Sequence, residues 1–377
     1  MTYRIENQAK PIVPHPLKEM MKGGFMGSKT ILKDRLEKDT VICAEGYLFE
    51  LERRGYLQAG AFVPEVVLEH PEVVIQLHRE FLRAGSDVMV AFTYYAHREK
   101  MRLIGKEDLL EELQKSALRM ARQVAGEKQD SAILVAGNIC NTNIYDQIDT
   151  ATHSEVRKMF DEQVVWAAEE GVDFIIAETI PYHGEAKLAL QAILGAGLEA
   201  VINLVGHREA RLRDGCSLVD SCLELEQMGA TVVGMNCNRG PTTMMPLVKE
   251  IRRAVDCHVA AMPVPYRTTP ANPTFQSLED PSCNCIPGNR PFPVALDPFT
   301  CNRYEMALFA KDAYEAGIRF IGACCGAGPH HIRAIAETLG RTPEASKYSP
   351  DMSKHYALGD DARLKKANQV FAGHHKL

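Results

Sequence analysis

The residues best suited to chemistry are three cysteines at two places in the chain. Cys237 closes the run "VVGMNCN", and Cys324 and Cys325 stand side by side in "FIGACCG". A thiolate is both a nucleophile and a soft metal ligand. Three thiolates with a fourth position open are the arrangement of a reactive zinc site, whereas a structural site closes with four protein ligands. The spacing is not that of a zinc finger, because no CxxC pair occurs anywhere. The alternative is that Cys237 is a buried strand-end thiol and the Cys324–Cys325 pair is incidental. Cys283 and Cys285 form a second cluster, "CNC", in a proline-rich stretch. It could join a metal site or a redox pair, and we read it as loop chemistry without function. Cys43, Cys140, Cys216, Cys222, Cys257 and Cys301 are assigned to packing, since free cysteine behaves as a small hydrophobe.

Convergence of Cys237 with the Cys324–Cys325 pair depends on the elements that carry them. Short β-branched runs alternate with stretches of helical periodicity along most of the chain. Strands are predicted at residues 40–43, 87–92, 132–136, 172–177, 200–204, 231–235, 258–262 and 319–321. Helices are predicted at 65–84, 106–125, 154–170, 184–194, 217–228, 243–255, 302–316 and 329–339, with Ser154 as the N-cap of the third. Gly85, Gly171, Gly229 and Gly317 each fall just before a strand, where a helix C-cap turns into the next strand. Runs such as "AILVA" and "FIIA" are apolar on both faces, which suits a covered parallel sheet.

Eight strand–helix units predict an α/β fold, a (β/α)8 TIM barrel with its zinc site at the C-terminal ends of the strands. A doubly wound sheet would carry a glycine-rich phosphate turn after its first strand, and none is present. In the closed barrel the sixth and eighth strands are separated by one strand, so the three thiols can meet. Gly322, Gly326 and Gly328 allow the backbone around the cysteine pair to turn tightly. The organisation expected is an N-terminal extension at 1–39, a barrel at 40–340 and a C-terminal tail at 341–377. A stretch at 263–298 with nine prolines is a candidate lid of limited mobility.

Composition excludes several classes. A chain of 377 residues with 46% hydrophobic and 24% charged residues buries a large core, which rules out disorder and small disulfide scaffolds. A formal charge of −6 and the lack of a basic stripe argue against nucleic-acid binding. No apolar run approaches the ~20 residues of a membrane span, and no secretory apolar core precedes residue 40. Eleven cysteines, an odd number, fit a reducing, cytoplasmic setting better than a disulfide framework.

The strings "GMNCN" and "GACCG", the latter followed by "PHHIRAIAETL", resemble the homocysteine S-methyltransferases, most closely the betaine-dependent branch. The resemblance continues through "LERRGYLQAG", "EHPEVVIQLHREFLRAGSDVM", "AFTYYAHREK", "VDFIIAET" and "KDAYEAGIRFIG", and covers roughly residues 30 to 340. It implies a zinc ion held by Cys237, Cys324 and Cys325, with the homocysteine thiol as fourth ligand. It implies that Glu178 in "AETIP" holds the homocysteine amino group, a charge-assisted pair. For a methylated onium donor, whose charge is attracted to aromatic faces, it implies Tyr95 in "FTYYA" and Phe62 in "AGAFVPE". Small-molecule substrates and a homo-oligomer are expected, with residues 341–377 as candidates for the contact between subunits.

One stretch departs from the family. Where the family has an Asp-Gly-Gly or Asp-Gly-Ala turn touching homocysteine, this chain has Ala44-Glu45-Gly46. The carboxylate has moved one position on and gained a methylene. Glu45 and Gly46 either reach the same ligand or fit the pocket to another acceptor or donor. The expected reaction is methyl transfer from glycine betaine to homocysteine, giving dimethylglycine and methionine. The string "ETIP" and the changed turn keep a sulfonium donor, S-methylmethionine or dimethylsulfoniopropionate, as the alternative. A barrel whose zinc is structural or absent, serving as a binding or assembly protein, is a third reading; it predicts no dependence of turnover on chelators and no loss when Cys324 is replaced. A cobalamin-linked methyl carrier is a fourth, with no segment of the chain available to bind cobalamin.

Overall fold

A computed structural model describes residues 31–128, 133–282, 289–367 and 370. Eight parallel strands close into a barrel in sequence order. They are β1 (Val41–Ala44), β2 (Val88–Val90), β3 (Leu134–Cys140), β4 (Phe174–Ile180), β5 (Glu199–Leu204), β6 (Val232–Asn236), β7 (His258–Met262) and β8 (Phe320–Ala323). The seam runs between β1 and β8, where Val41 lies opposite Phe320 and Ala44 opposite Ala323. Every strand predicted from sequence is present, displaced by at most a few residues. The first residue assigned to the third, Ala132, lies outside the described residues, as do Cys283 and Cys285.

Nearly every strand residue is buried, because side chains pointing inward fill the barrel and those pointing outward meet the helices. Phe174 on β4 and Phe320 on β8 come from opposite walls and touch edge to face, with ring centroids 6.3 Å apart. Gly85, Gly171, Gly229 and Gly317 all have positive φ, so the helix-to-strand turns read from sequence are left-handed caps.

Two helix predictions need correction. The helix expected over 65–84 is two helices, Val66–Glu69 and Pro71–Ala84, separated by His70 in a non-helical conformation with φ of −140° and ψ of 60°. The ring of Pro71 disfavours the helical region for the residue before it and starts a new helix at its own position. The helix expected from Ser154 begins at Ala151, so Ser154 lies inside its first turn and is not the cap. Three helices have no counterpart in the sequence reading, namely Ile31–Lys38, Tyr47–Arg53 and Arg98–Ile104.

The first of these shuts the end of the barrel away from the cysteines. Leu32 and Leu36 are buried, and the Glu199 carboxylate at the start of β5 accepts hydrogen bonds from the Leu32 and Lys33 amides at 2.8 and 3.0 Å. An acid at a helix N-terminus both fills orphan donors and complements the macrodipole. Asp87 sits on the same side, paired with Arg35 and Arg341. No helix among the described residues is long and apolar enough to cross a membrane.

Candidate active site

The ends of β1, β2, β3, β4 and β8 meet around one small cavity at the other end of the barrel, with the end of β6 beside it. Its wall includes Glu45, Tyr47, Phe92, Tyr94, Asn138, Glu178 and Cys325. Cys237 directly follows β6, and Cys324 and Cys325 follow β8. All three thiols are buried and their sulfurs lie within 4.8 Å of one another. Sulfurs bound at ~2.3 Å in tetrahedral geometry stand ~3.8 Å apart, and the Sγ atoms of Cys324 and Cys325 are separated by 3.9 Å. The three side chains therefore fit a single zinc ion.

The backbone that places these sulfurs is unusual. Cys237 and Asn238 both have positive φ, at 55° and 54°. Left-handed conformations cost a residue with a Cβ ~1–2 kcal/mol each. The turn is held from outside: the Cys237 amide donates to the Met262 carbonyl, and the Asn238 carbonyl accepts from the Phe275 amide at 2.7 Å. Gly326, after the cysteine pair, has φ of 90°, and a Cβ there would come within 2.2 Å of the Tyr266 hydroxyl. Gly322, by contrast, lies within β8 and not in a turn.

Two carboxylates sit beside the sulfurs. Glu178, on β4, accepts from Asn138 Nδ2 at 2.5 Å and from Asn236 Nδ2 at 2.7 Å. Its Oε2 lies 3.9 Å from the Cys324 sulfur. The next residue, Thr179, has φ of 57°, and its amide donates to Asn236 Oδ1 at 2.8 Å. Asn236 thus bridges β6 to the bent end of β4. Glu45 is buried, neither of its oxygens makes a hydrogen bond, and it lies within 4.8 Å of a Glu178 oxygen and the Cys324 sulfur. Burial raises the Glu45 carboxyl well above the ordinary range, and the neighbouring Glu178 raises it further. Burial and the charge of Cys324 raise Glu178 likewise. Two carboxylates this close in a dry cavity share a proton or take a cation between them.

The thiols share charge in a comparable way. Hydrogen bonds from Cys324 and Cys325 lower Cys237 to about 5, while the same interactions raise the two donors. A divalent cation bound here would replace the protons that the three sulfurs share.

Gly46 is where β1 approaches the turn after β8, since a Cβ at that position would fall 1.9 Å from the Ala327 carbonyl oxygen. Tyr95 has φ of 63° and is partly buried, and its phenol lies within electrostatic reach of Cys237 and Cys325. Neither Tyr95 nor Phe62 is part of the cavity wall: Tyr95 packs against the wall residue Tyr94, with ring centroids 4.3 Å apart. The Phe62 ring packs 6.0 Å from Phe49 in a cluster continued by Phe275 and Phe292. The aromatic faces of the cavity are Tyr47, Phe92 and Tyr94, none of which the sequence reading singled out. It also passed over Asn138 and Asn236, although an amide inside the apolar strings "AGNIC" and "GMNC" is a legible signal.

A parallel barrel carrying thiols and carboxylates at the C-terminal ends of its strands defines an enzyme that acts on a small ligand at its open end. Residues 41–339 match the family model for homocysteine S-methyltransferase. Betaine–homocysteine S-methyltransferase 1 of Danio rerio is 37% identical over 85% of this chain and 80% of its own length. The S-methylmethionine–homocysteine S-methyltransferase of Pongo abelii is 35% identical over 90% of this chain and 89% of its own length. The metallated form of the Escherichia coli homocysteine methyltransferase MmuM superposes with a TM-score of 0.62 at 20% identity, covering 81% of this chain and 98% of that one. The chain belongs to the homocysteine S-methyltransferase family.

Proposed function

We propose that this enzyme is zinc-dependent and transfers a methyl group from glycine betaine to homocysteine, giving dimethylglycine and methionine. The observation that carries the reading is the meeting of three sulfurs at metal-binding spacing with two buried carboxylates. Zinc held by Cys237, Cys324 and Cys325 would keep the acceptor sulfur as a thiolate at neutral pH, where a free thiol of pKa ~8.5 is mostly protonated. Glu178, oriented by Asn138 and Asn236, receives the acceptor's ammonium group, and Glu45 supplies the second carboxylate facing it. The close approach at Gly46 keeps Glu45 over the cysteine turn. Tyr47, Phe92 and Tyr94 offer aromatic faces to the onium head, with Tyr95 packed on Tyr94 to extend them, while Phe62 supports the rim. Thiolate and onium lose their charges as the methyl moves, so a cavity that excludes water favours the transfer.

A sulfonium donor is the second reading. The S-methylmethionine-dependent relative matches this chain about as well as the betaine-dependent ones do. The test is turnover of homocysteine by reduced, zinc-loaded protein with methyl-labelled glycine betaine, S-methylmethionine and dimethylsulfoniopropionate. Labelled methionine from betaine is the expected result; label from a sulfonium alone overturns the choice of donor. The reading also includes a cytoplasmic location and a homo-oligomer joined through the tail, where Tyr348, Tyr356 and Leu358 are exposed. Sedimentation velocity should give a mass above that of one chain, and a monomer would reject this assembly.

A further inference from the structure

Among the described residues, the cavity wall contains two acids and no base. Glu45 and Glu178 are there, and none of the residues lining it is lysine or arginine. A zwitterionic donor entering it, with onium head inward, must leave its carboxylate outward, away from those acids. A cation stands beside the chain that follows β2, against a ring that packs on the wall residue Tyr94. Lys100, on the helix Arg98–Ile104, carries its ammonium 4.0 Å from the centre of the Tyr95 ring.

No ion pair to Lys100 is found among the described residues. The nearest acid on its own helix, Glu99, is already held by both arms of Arg102 at 2.8 and 2.7 Å. Lys100 is half-buried, and burial lowers its ammonium below the ordinary lysine range. Its surroundings are Tyr95, the neutral buried His97 and the thiol of Cys140, which accepts from the Tyr95 amide. A partly desolvated ammonium that has an aromatic face and no anion has an unused capacity for one.

We propose that Lys100 anchors the carboxylate of the methyl donor, and that its ammonium occupies the Tyr95 face only while the donor is absent. The inference rests on the reading of Tyr95 as a donor contact. Lys100 and the donor's onium group compete for one ring. When the onium takes the ring, the lysine stem swings aside and the displaced ammonium meets the carboxylate carried by the same donor. The site thereby selects donors in which a methylated cation and a carboxylate are joined by a short chain. A cation without the carboxylate displaces Lys100 and gains nothing in return.

The test is equilibrium binding to the metal-loaded protein by calorimetry, with glycine betaine and tetramethylammonium as probes, for the wild type, Lys100→Gln and Lys100→Arg. Lys100→Gln should weaken glycine betaine about tenfold, the scale of one charge-assisted pair, and should bind tetramethylammonium at least as well as the wild type. Lys100→Arg should recover most of the betaine affinity. Unchanged betaine affinity in Lys100→Gln, or equal weakening of both probes, overturns the proposal. Turnover by the wild type is scored separately. An active wild type with unaltered Lys100→Gln rejects the anchor alone, and an inactive wild type with the predicted binding pattern rejects the reaction alone.

Discussion

Cys324→Ser is expected to abolish zinc retention and to lower methionine formation about 10³-fold or more, the loss appropriate to a metal worth several kcal/mol of transition-state stabilisation. Cys324 is central among the candidate ligands, with its sulfur 3.9 Å from both the Cys325 sulfur and Glu178 Oε2 and 3.6 Å from Asn236 Nδ2. A serine hydroxyl fits the same space, so the barrel should unfold within a few degrees of the wild type. Zinc content by elemental analysis, thermal melting and turnover together check this. Full activity in a zinc-free Cys324→Ser protein would exclude the metal reading, and so would wild-type turnover that survives exhaustive chelation.

Glu178→Gln should separate binding from stability. The carboxylate accepts from two asparagine amides, and a glutamine can offer only one acceptor oxygen to them. The acceptor's ammonium then loses a buried charged partner, a change worth roughly 3 kcal/mol or ~10²-fold in affinity. The KM for homocysteine should rise by that order, with a smaller effect on the KM of the donor. Stability should change little, because the lost hydrogen bond is offset by relief of two carboxylates crowded together. Glu45→Gln should be as stable as the wild type or more so, since Glu45 makes no hydrogen bond that folding could lose. An unaltered homocysteine KM in Glu178→Gln would remove this carboxylate from acceptor binding.

The strands were legible because a covered parallel barrel needs long apolar runs, and those runs stand in the sequence with few interruptions. The glycine caps were legible for an equally local reason. The break at His70 could have been inferred from Pro71, and the periodicity across it concealed the signal. What sequence could not show is how the strand ends bend. Tyr95, Thr179, Cys237 and Asn238 all adopt positive φ without being glycine. Each is held by long-range contacts, such as the Thr179 amide with Asn236, 57 residues away. Local propensity opposes such conformations and only the assembled barrel enforces them. Phe62 illustrates the limit of resemblance, because an aromatic residue at the expected position packs against Phe49 instead of lining the cavity.

The seam between β1 and β8 has a consequence for the life of the chain before it is complete. It joins Val41 to Phe320, so closure must await nearly the whole barrel sequence and brings a long loop together in one event. Glu45 stands on one side of that seam and the cysteine pair on the other. A growing chain that ends before β8 has Cys237 alone of the three candidate ligands. Under the zinc reading, competence to hold the ion would be gained only after the last strand, and an unfinished or truncated product would carry no assembled trap for it.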